Sequence, residues 1–234
     1  MSARHLIVAA ALLGATTALP GQSVGSMPVN SPFRDVEKRQ SVTLLSGISI
    51  GGKDIAGAAP RGGLAQGIRY DVPLGGSPLD FTGVLMRQAA TRDILQPGLP
   101  LANRIGGSVS EGLWMLDAAF TIRVTGGKSW HKLVPYVTAG AGFLVGAGSA
   151  TDSSGFAMGS RFAPSAGLGL KFAPERSRWT VRADITNRFY SVRFPQNFRD
   201  STPNVPRIVG PNSQSDWVRN TMFTLGLVRE FGRR

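Results

Sequence analysis

Apolar and polar residues alternate along much of the chain, in short segments that are separated by turn-forming residues. In the clearest segment, 177–194, one face is apolar, with Trp179 and Ile185, and the other is polar, with Arg182 and Asp184. Alternation with a period of two is typical of a β-strand that has one apolar and one polar face. Helical periodicity is scarce, so the pattern predicts an all-β protein.

The alternation predicts eight strands, which cover residues 42–50, 64–72, 79–89, 113–124, 133–149, 162–172, 177–194 and 221–231. Long connections cover 51–63, 90–111, 149–160 and 195–219, and they alternate with short connections over 73–78, 125–132 and 173–178. Transmembrane β-barrels have short periplasmic turns and longer outer loops in this way. The predicted fold is therefore an eight-stranded antiparallel up-and-down transmembrane β-barrel.

Alternation alone fits two kinds of barrel, since a membrane barrel has its apolar face outside and a soluble lipocalin-like barrel has it inside. The polar face of this chain is rich in glycine, which weakens a water-facing strand but leaves room inside a narrow barrel. We expect Gly140 and Gly142 to make room for long side chains, with Arg182 and Arg188 as candidates. Other glycines on the polar face are Gly47, Gly67, Gly167, Gly169 and Gly226.

The charged residues of the polar face have both signs, so they are able to neutralise one another across a narrow lumen, as buried charges must. With long side chains pointing inward, an eight-stranded barrel is expected to be filled. The predicted lumen network consists of Arg69, Asp71, Asp117, Arg123, Lys171, Arg182, Asp184, Arg188 and Glu230.

Aromatic residues of the apolar face collect near the predicted strand ends, where amphipathic rings meet lipid headgroups in membrane barrels. The glycine-rich polar face, its charges of both signs and the aromatic residues near the strand ends together favour the membrane barrel over the soluble one. The predicted aromatic girdle consists of Tyr70, Phe81, Phe172, Trp179 and Phe231 on the short-turn side, and of Trp114, Phe143, Phe162, Phe189 and Phe223 on the long-loop side.

The N-terminus has the pattern of a secretory signal peptide: Arg4 precedes an apolar run from Leu6 to Leu13, and small residues follow. This run is too short for a membrane-spanning helix. We expect a signal peptide over 1–25, with cleavage between 18 and 25. A periplasmic tail over 26–40 and the barrel over 41–232 are expected to follow, with both termini in the periplasm and the barrel in the bacterial outer membrane.

The stretches 135–145 (PYVTAGAGFLV), 165–172 (SAGLGLKF) and 221–231 (TMFTLGLVREF) resemble the OmpA/OmpX-type outer-membrane β-barrel family. The resemblance covers roughly residues 41–232. It implies that the barrel-assembly machinery reads the C-terminal strand, which in the family ends on an aromatic residue. This chain departs from that ending, because Phe231 is followed by Gly232, Arg233 and Arg234.

The net charge is +12, from 26 Lys and Arg against 14 Asp and Glu. The basic residues are dispersed, with no run of three and no stripe interleaved with aromatics, so nucleic acid is not an expected partner. Outer-membrane lipid and lipopolysaccharide, which are anionic, are the expected partners. The chain has no cysteine, which excludes disulfides and thiol nucleophiles.

Candidate cofactor and catalytic residues are few. Gly140, Gly142 and Gly146 form GxGxxxG, but a loop rather than a helix follows, so no nucleotide site is expected. His131 lies in the short connection 125–132, at the predicted periplasmic end, whereas small outer-membrane enzymes of this size use a histidine at the outer end. No histidine has a second metal ligand nearby, so no metal or other cofactor is expected.

Two pairs of carboxylates are candidates for acid and base couples, Asp71 with Asp80 and Asp117 with Asp184. Each pair has arginines on the same predicted face, so salt bridges explain them more simply. The first functional hypothesis is therefore a non-enzymatic barrel with an envelope-structural or surface-interaction role through its long loops. A narrow channel for small solutes or ions is the alternative, and a lipid-modifying enzyme is a lower one.

Overall fold

The computed structural model describes residues 31–147, 154–174, 177–201 and 205–232. The predicted signal peptide, residues 1–25, lies outside the described residues. The strands are β1 (Phe33–Asp35), β2 (Gln40–Gly51), β3 (Gly63–Pro73), β4 (Leu79–Leu95), β5 (Ile105–Arg123), β6 (Lys128–Trp130), β7 (Leu133–Gly146), β8 (Ser160–Phe172), β9 (Trp179–Arg193) and β10 (Ser215–Phe231).

Helix is confined, among the described residues, to a 3-10 turn (Leu101–Asn103) and to α1 (Gln196–Arg199). Neither is long and apolar enough to cross a membrane. The described strands and helices all lie within one unit, residues 32–234.

Eight strands close into a barrel, because each pairs antiparallel with the next in the order β2, β3, β4, β5, β7, β8, β9, β10, and β10 returns to β2. Closure gives the backbone N–H and C=O groups of the wall partners within the sheet and leaves no free edge there. The predicted fold class, an eight-stranded antiparallel up-and-down barrel, is confirmed.

The apolar face of each strand points outward. On β10, Leu225 is 70% exposed, whereas Thr224 and Val228 beside it point inward and are buried. On β2, Leu44 is 61% exposed, and its neighbour Thr43 is fully buried. An apolar exterior around a polar interior is opposite to a lipocalin-like barrel, so the soluble alternative is wrong.

The hairpin of β4 and β5 differs from the prediction, which had a long loop over 90–111. β4 continues to Leu95 and β5 begins at Ile105, so the two strands pair well beyond the rest of the wall. The ladder to β7 begins at Leu113, opposite Gly146, and just beyond it the Ala147 N–H donates to the Gly112 carbonyl at 2.6 Å. Among the described residues, the first part of β5 therefore has its ladder pairing to β4. The connection at the hairpin tip is therefore 96–104.

An apolar core lies at the long-loop end, where the connections fold over the lumen. Its loop residues include Phe156, Met158, Phe194, Phe198 and Val209, all buried. The backbone N–H groups of Ile208 and Val209 both donate to the Phe198 carbonyl, at 3.0 and 3.1 Å. These contacts make the described parts of the long loops a lid over the barrel.

At the short-turn end, the segment 33–39 crosses the mouth of the barrel. β1 pairs antiparallel with β6, and the Val36 N–H donates to the Gly127 carbonyl at 2.9 Å. The ammonium group of Lys38 donates to the carbonyls of Gly76 and Ser77 in the turn between β3 and β4. The predicted tail therefore contains, over these residues, a strap fastened to two turns.

Candidate functional site

The lumen is the candidate site, because the nine predicted network residues all point into it. Eight of them are buried and Lys171 is partly buried. Each takes part in an ion pair with an opposite charge. The pairs are Arg69–Asp71, Arg182–Asp71, Arg182–Asp184, Arg188–Asp117, Arg123–Asp80 and Lys171–Glu230.

The centre of the network is a cluster on β3, β7 and β9. Arg182 Nε donates to Asp184 Oδ2 at 2.9 Å, and Arg182 Nη1 donates to Asp71 Oδ2 at 3.1 Å. Arg69 Nε donates to Asp71 Oδ1 at 2.8 Å. Tyr136 joins the cluster, since its hydroxyl donates to Asp184 Oδ1 at 2.5 Å and accepts from Arg182 Nη2 at 2.6 Å. Two arginines and two aspartates thus balance in charge.

Hydroxyl groups connect this cluster across the wall. Arg69 Nη2 donates to Thr121 Oγ1 at 2.7 Å, and the Thr82 hydroxyl donates to Asp71 Oδ1 at 2.7 Å. The Thr121 hydroxyl lies 2.9 Å from that of Thr82 and 3.0 Å from that of Thr138. These hydroxyl contacts give hydrogen-bond partners to polar groups that would be costly to bury without one.

Towards the short-turn end, two further ion pairs line the lumen. Arg123 Nη2 donates to Asp80 Oδ1 at 2.7 Å, and the Lys171 ammonium group pairs with the Glu230 carboxylate. The cavity between these pairs and the strap is about 50 Å³, which holds one or two waters.

Towards the long-loop end, Arg188 of β9 reaches Asp117 of β5 across the barrel. Its Nη2 and Nε donate to Asp117 Oδ2 at 2.5 and 2.9 Å, and both side chains are buried. Above this pair, the Asn220 amide donates to Gln88 Oε1 at 3.0 Å.

Sequence reasoning missed several members of this interior, among them Arg92, Glu111 and Tyr136. Arg92 Nε donates to Glu111 Oε2 at 2.8 Å, with both residues buried, and the Arg92 guanidinium lies over the Phe156 ring at 5.1 Å. Both residues fall in the region predicted as a loop, so no alternation in the sequence indicates that their side chains point inward. Tyr136 also points into the lumen, and the sequence pattern does not assign it to the network because its partners come from β9.

The expected role of Gly140 and Gly142 needs correction. A Cβ on Gly140 would lie 2.4 Å from the Ala119 Cβ, and one on Gly142 would lie 2.0 Å from the Leu116 carbonyl oxygen. These glycines therefore let neighbouring β5 approach closely and do not make room for Arg182 and Arg188. That role belongs to Gly226, where a Cβ would meet Arg182 Cγ at 2.8 Å, while Gly169 gives room to the ring of Tyr136.

The ten predicted girdle aromatics point outward, and each side chain is exposed by at least 37%. Phe143 and Phe162 are direct neighbours on β7 and β8, with ring centroids 6.0 Å apart. Phe223 is not at a strand end, since it pairs with Ile185 and Ile48 midway along β10. The outward aromatics are Tyr70, Phe81, Trp114, Phe143, Phe162, Phe172, Trp179, Phe189, Phe223 and Phe231.

His131 lies between β6 and β7, at the short-turn end. Its N–H donates to the Pro32 carbonyl at 2.9 Å, and its ring meets that of Trp130 edge to face at 4.9 Å. No group of three or more His, Asp or Glu side chains able to hold a metal occurs in the described ranges. The two carboxylates of the candidate couple Asp71 and Asp80 pair with different cations, Asp71 with Arg182 and Asp80 with Arg123. The charges of the predicted lumen network are thus paired with opposite charges of other described residues.

No protein-family model matches the chain, and no curated protein is similar to it in sequence. Among solved structures, Neisserial surface protein A is 11% identical, with 82% of this chain and 97% of that chain covered and a TM-score of 0.49. The N-terminal β-barrel domain of Pseudomonas aeruginosa OprF is 15% identical, with 82% and 99% covered and a TM-score of 0.39. Ail, the attachment invasion locus protein of Yersinia pestis, is also 15% identical, with 82% and 99% covered and a TM-score of 0.41.

These three relatives in structure are eight-stranded outer-membrane β-barrels. The likeness concerns the fold alone, and for this chain the fold rests on its own strand pairing.

Proposed function

We propose that this chain is a non-enzymatic outer-membrane barrel that reinforces the envelope and makes surface contacts through its long-loop end. The observation that carries the proposal is a closed barrel whose outer wall is apolar and whose lumen is filled by paired charges. The Arg182, Asp184 and Asp71 cluster and the Arg188–Asp117 pair occupy successive levels of the lumen. A filled lumen favours a structural barrel over a channel.

Location in a membrane is supported by the exposed apolar residues of the wall. Outward side chains such as Leu44, Leu168, Leu116 and Leu225 are each more than half exposed. Soluble monomers rarely expose so large an apolar surface, and hydrocarbon accepts β-structure only when it is closed. The signal-peptide pattern supports export, so the bacterial outer membrane is the proposed site, with the short-turn end and both termini in the periplasm.

Surface contact is assigned to the protruding hairpin of β4 and β5. Beyond the bond between Gly112 and Ala147, the edge of β5 that faces β7 has no ladder pairing to a described residue, and Ile105 there is 63% exposed. A partner strand is able to add to such an edge through backbone hydrogen bonds. The hairpin and the outer faces of the long loops are therefore the proposed surface for a partner.

Anionic lipid and lipopolysaccharide are the proposed membrane partners. Arg87, Arg193 and Arg219 are exposed on the outer wall toward the long-loop end, and the Arg87 guanidinium lies 5.9 Å from the ring of Trp114. Guanidinium groups bind phosphate through paired hydrogen bonds. At the other end, the outward ring of Phe231 closes β10, which is the proposed signal for the barrel-assembly machinery.

Planar-bilayer conductance and gel migration test the proposal together. The refolded protein is expected to migrate differently on a denaturing gel before and after boiling, and to give no reproducible conductance steps. Steps that disappear on Arg182→Gln or Asp184→Asn would support a channel and contradict the filled barrel. A detergent-independent soluble monomer would contradict the membrane location, and hydrolysis of lipid A or phospholipid by the refolded protein would contradict the non-enzymatic role.

A further inference from the structure

The outward side chains do not cover the wall evenly. They leave a groove on the outward face of β8, β9, β10 and β2. It consists of two hollows of about 720 and about 620 Å³, which share Ser46, Leu170, Ala183 and Leu225. Because the shared residues border both hollows, the two form one groove along the strands. We call it the wall groove.

Strand register explains why the groove forms here. Leu170 of β8 is paired with Ala183 of β9, Ala183 with Leu225 of β10, and Leu225 with Ser46 of β2. Large and small outward side chains therefore alternate around the wall at this level. Ala183 and Ser46 form the floor, and the leucines form the sides.

The wall groove is lined almost entirely by apolar side chains. Its long-loop end is bordered by Ile48 and Phe223, and its short-turn end by Phe172, Val181 and Leu227. All of these side chains face outward, where a membrane barrel meets hydrocarbon. An apolar groove that opens to the bilayer is complementary to an acyl chain.

A cation marks the short-turn end of the groove. Arg229 follows Leu227 by two residues on the same outward face of β10, and its guanidinium lies over the ring of Trp179 at 4.8 Å. Arg229 is exposed, and none of the ion pairs between described residues includes it. Stacking on Trp179 holds the guanidinium at the wall, where its N–H donors are free to bind an anion.

We propose that the wall groove is a specific site for an anionic diacyl phospholipid, with one acyl chain along Ala183 and the phosphate at Arg229. The proposal rests on the membrane location proposed above, because the groove must face lipid. Charge complementarity selects this occupant, since a neutral acyl chain alone would leave Arg229 without a partner at the end of the groove. The lipid belongs to the leaflet on the short-turn side.

Native mass spectrometry of the refolded full chain tests the site. The probe is a micelle that contains equal amounts of phosphatidylglycerol and phosphatidylcholine, and the number of each lipid retained on the protein is counted. We expect phosphatidylglycerol to be retained in preference. Arg229→Gln removes the charge and is expected to lower this preference by about tenfold, the effect of losing one charge-assisted contact. Ala183→Leu fills the groove floor and is expected to lower the retention of both lipids.

Two matched variants serve as controls. Ala118→Leu enlarges an outward alanine on β5, which lies outside the groove, and Lys132→Gln removes an exposed charge of the turn before β7, which does not line the groove. Both are expected to keep the preference for phosphatidylglycerol. Equal retention of the two lipids by the unmodified chain, or equal losses in groove and control variants, would overturn the site.

A parallel arm with lipopolysaccharide as the probe separates the two sources of lipid phosphate. Retention of lipopolysaccharide alone, with a loss that follows Arg219→Gln and not Arg229→Gln, would also overturn the phospholipid site. Gel migration before and after boiling is recorded on the same samples. A preserved migration shift with no lipid preference removes only the lipid site, whereas loss of the shift would count against the proposed function.

Discussion

The guanidinium of Arg182 meets the ring of Tyr136 in two ways at the centre of the lumen. Its Nη2 donates to the Tyr136 hydroxyl at 2.6 Å, and its Cζ lies 4.7 Å from the ring centroid. The same hydroxyl donates to Asp184, so one phenol joins the cation of β9 to its carboxylate. Gly169 leaves the space into which this ring fits. The phenol oxygen therefore has two charged hydrogen-bond partners in the cluster.

Tyr136→Phe removes that oxygen and keeps the ring. The change is expected to lower the free energy of unfolding by about 1–3 kcal/mol, because Arg182 and Asp184 each lose a buried hydrogen-bond partner. The measurement is urea unfolding in detergent, followed by the fraction that shows folded gel migration. Tyr70→Phe is the control, since the Tyr70 hydroxyl bonds to Gln40 on the exposed outer face, and we expect a change within about 0.5 kcal/mol. Equal effects of the two changes would contradict a cohesive role for the lumen cluster.

The Arg188–Asp117 pair offers a test of buried charge. Asp117→Ala leaves Arg188 buried without its carboxylate and is expected to cost about 3–5 kcal/mol, whereas the double change Asp117→Leu with Arg188→Met is expected to recover most of the loss. The comparison pair is Arg61 with Asp93, in which Arg61 is largely exposed, so Asp93→Ala is expected to cost less than about 1 kcal/mol. Urea unfolding of the three variants and the unmodified chain measures these effects. If the double change does not recover stability, the pair contributes more to the free energy of unfolding than the neutralisation of two buried charges.

Much of the barrel was predictable, because closure requires an apolar face that repeats every second residue. Trp179 and Ile185 on one face and Arg182 and Asp184 on the other determine how β9 is oriented, and each neighbouring strand repeats the pattern. The same alternation placed the charged network inside the lumen. Which arginine meets which aspartate was not predictable, because it depends on partners that are far apart in sequence, such as Arg188 and Asp117.

The unpredicted parts are those without alternation. The upper half of β5 contains Gly106, Gly107 and several serines, so it reads as a loop, although pairing to β4 holds it extended. β1 has only three residues and forms through contact with β6, which no local pattern indicates. The glycines of β7 were correctly placed on the inward face, but their immediate neighbours come from β5, and register was needed to identify them.

We expect position 142 of β7 to require glycine, because β5 approaches the backbone closely there. In Gly142→Ala the added Cβ would lie 2.0 Å from the Leu116 carbonyl oxygen and 2.4 Å from Asp117 Oδ1. Because the first of these is a backbone atom, the strand itself must shift, at a cost of about 1–3 kcal/mol. Gly83→Ala is the matched control on β4, since a Cβ there meets nothing within 4 Å, and it is expected to be neutral or to stabilise by up to about 1 kcal/mol. A neutral Gly142→Ala in urea unfolding would show that β5 and β7 are less tightly packed than the structure has them.

The strap over the short-turn mouth makes a prediction for backbone protection. The His131 N–H donates to Pro32 and the Val36 N–H donates to Gly127, so the strap and the turn that contains β6 protect each other. Deletion of residues 32–38 removes the acceptor of the His131 amide, and hydrogen exchange at that amide is expected to accelerate by on the order of tenfold or more, since local opening then governs it. The Gly146 amide, which donates to Gly159 at the opposite end, is the internal control and is expected to keep its protection. Unchanged exchange at His131 would mean that the strap does not hold the turn, while faster exchange at both amides would mean that the deletion loosens the whole barrel.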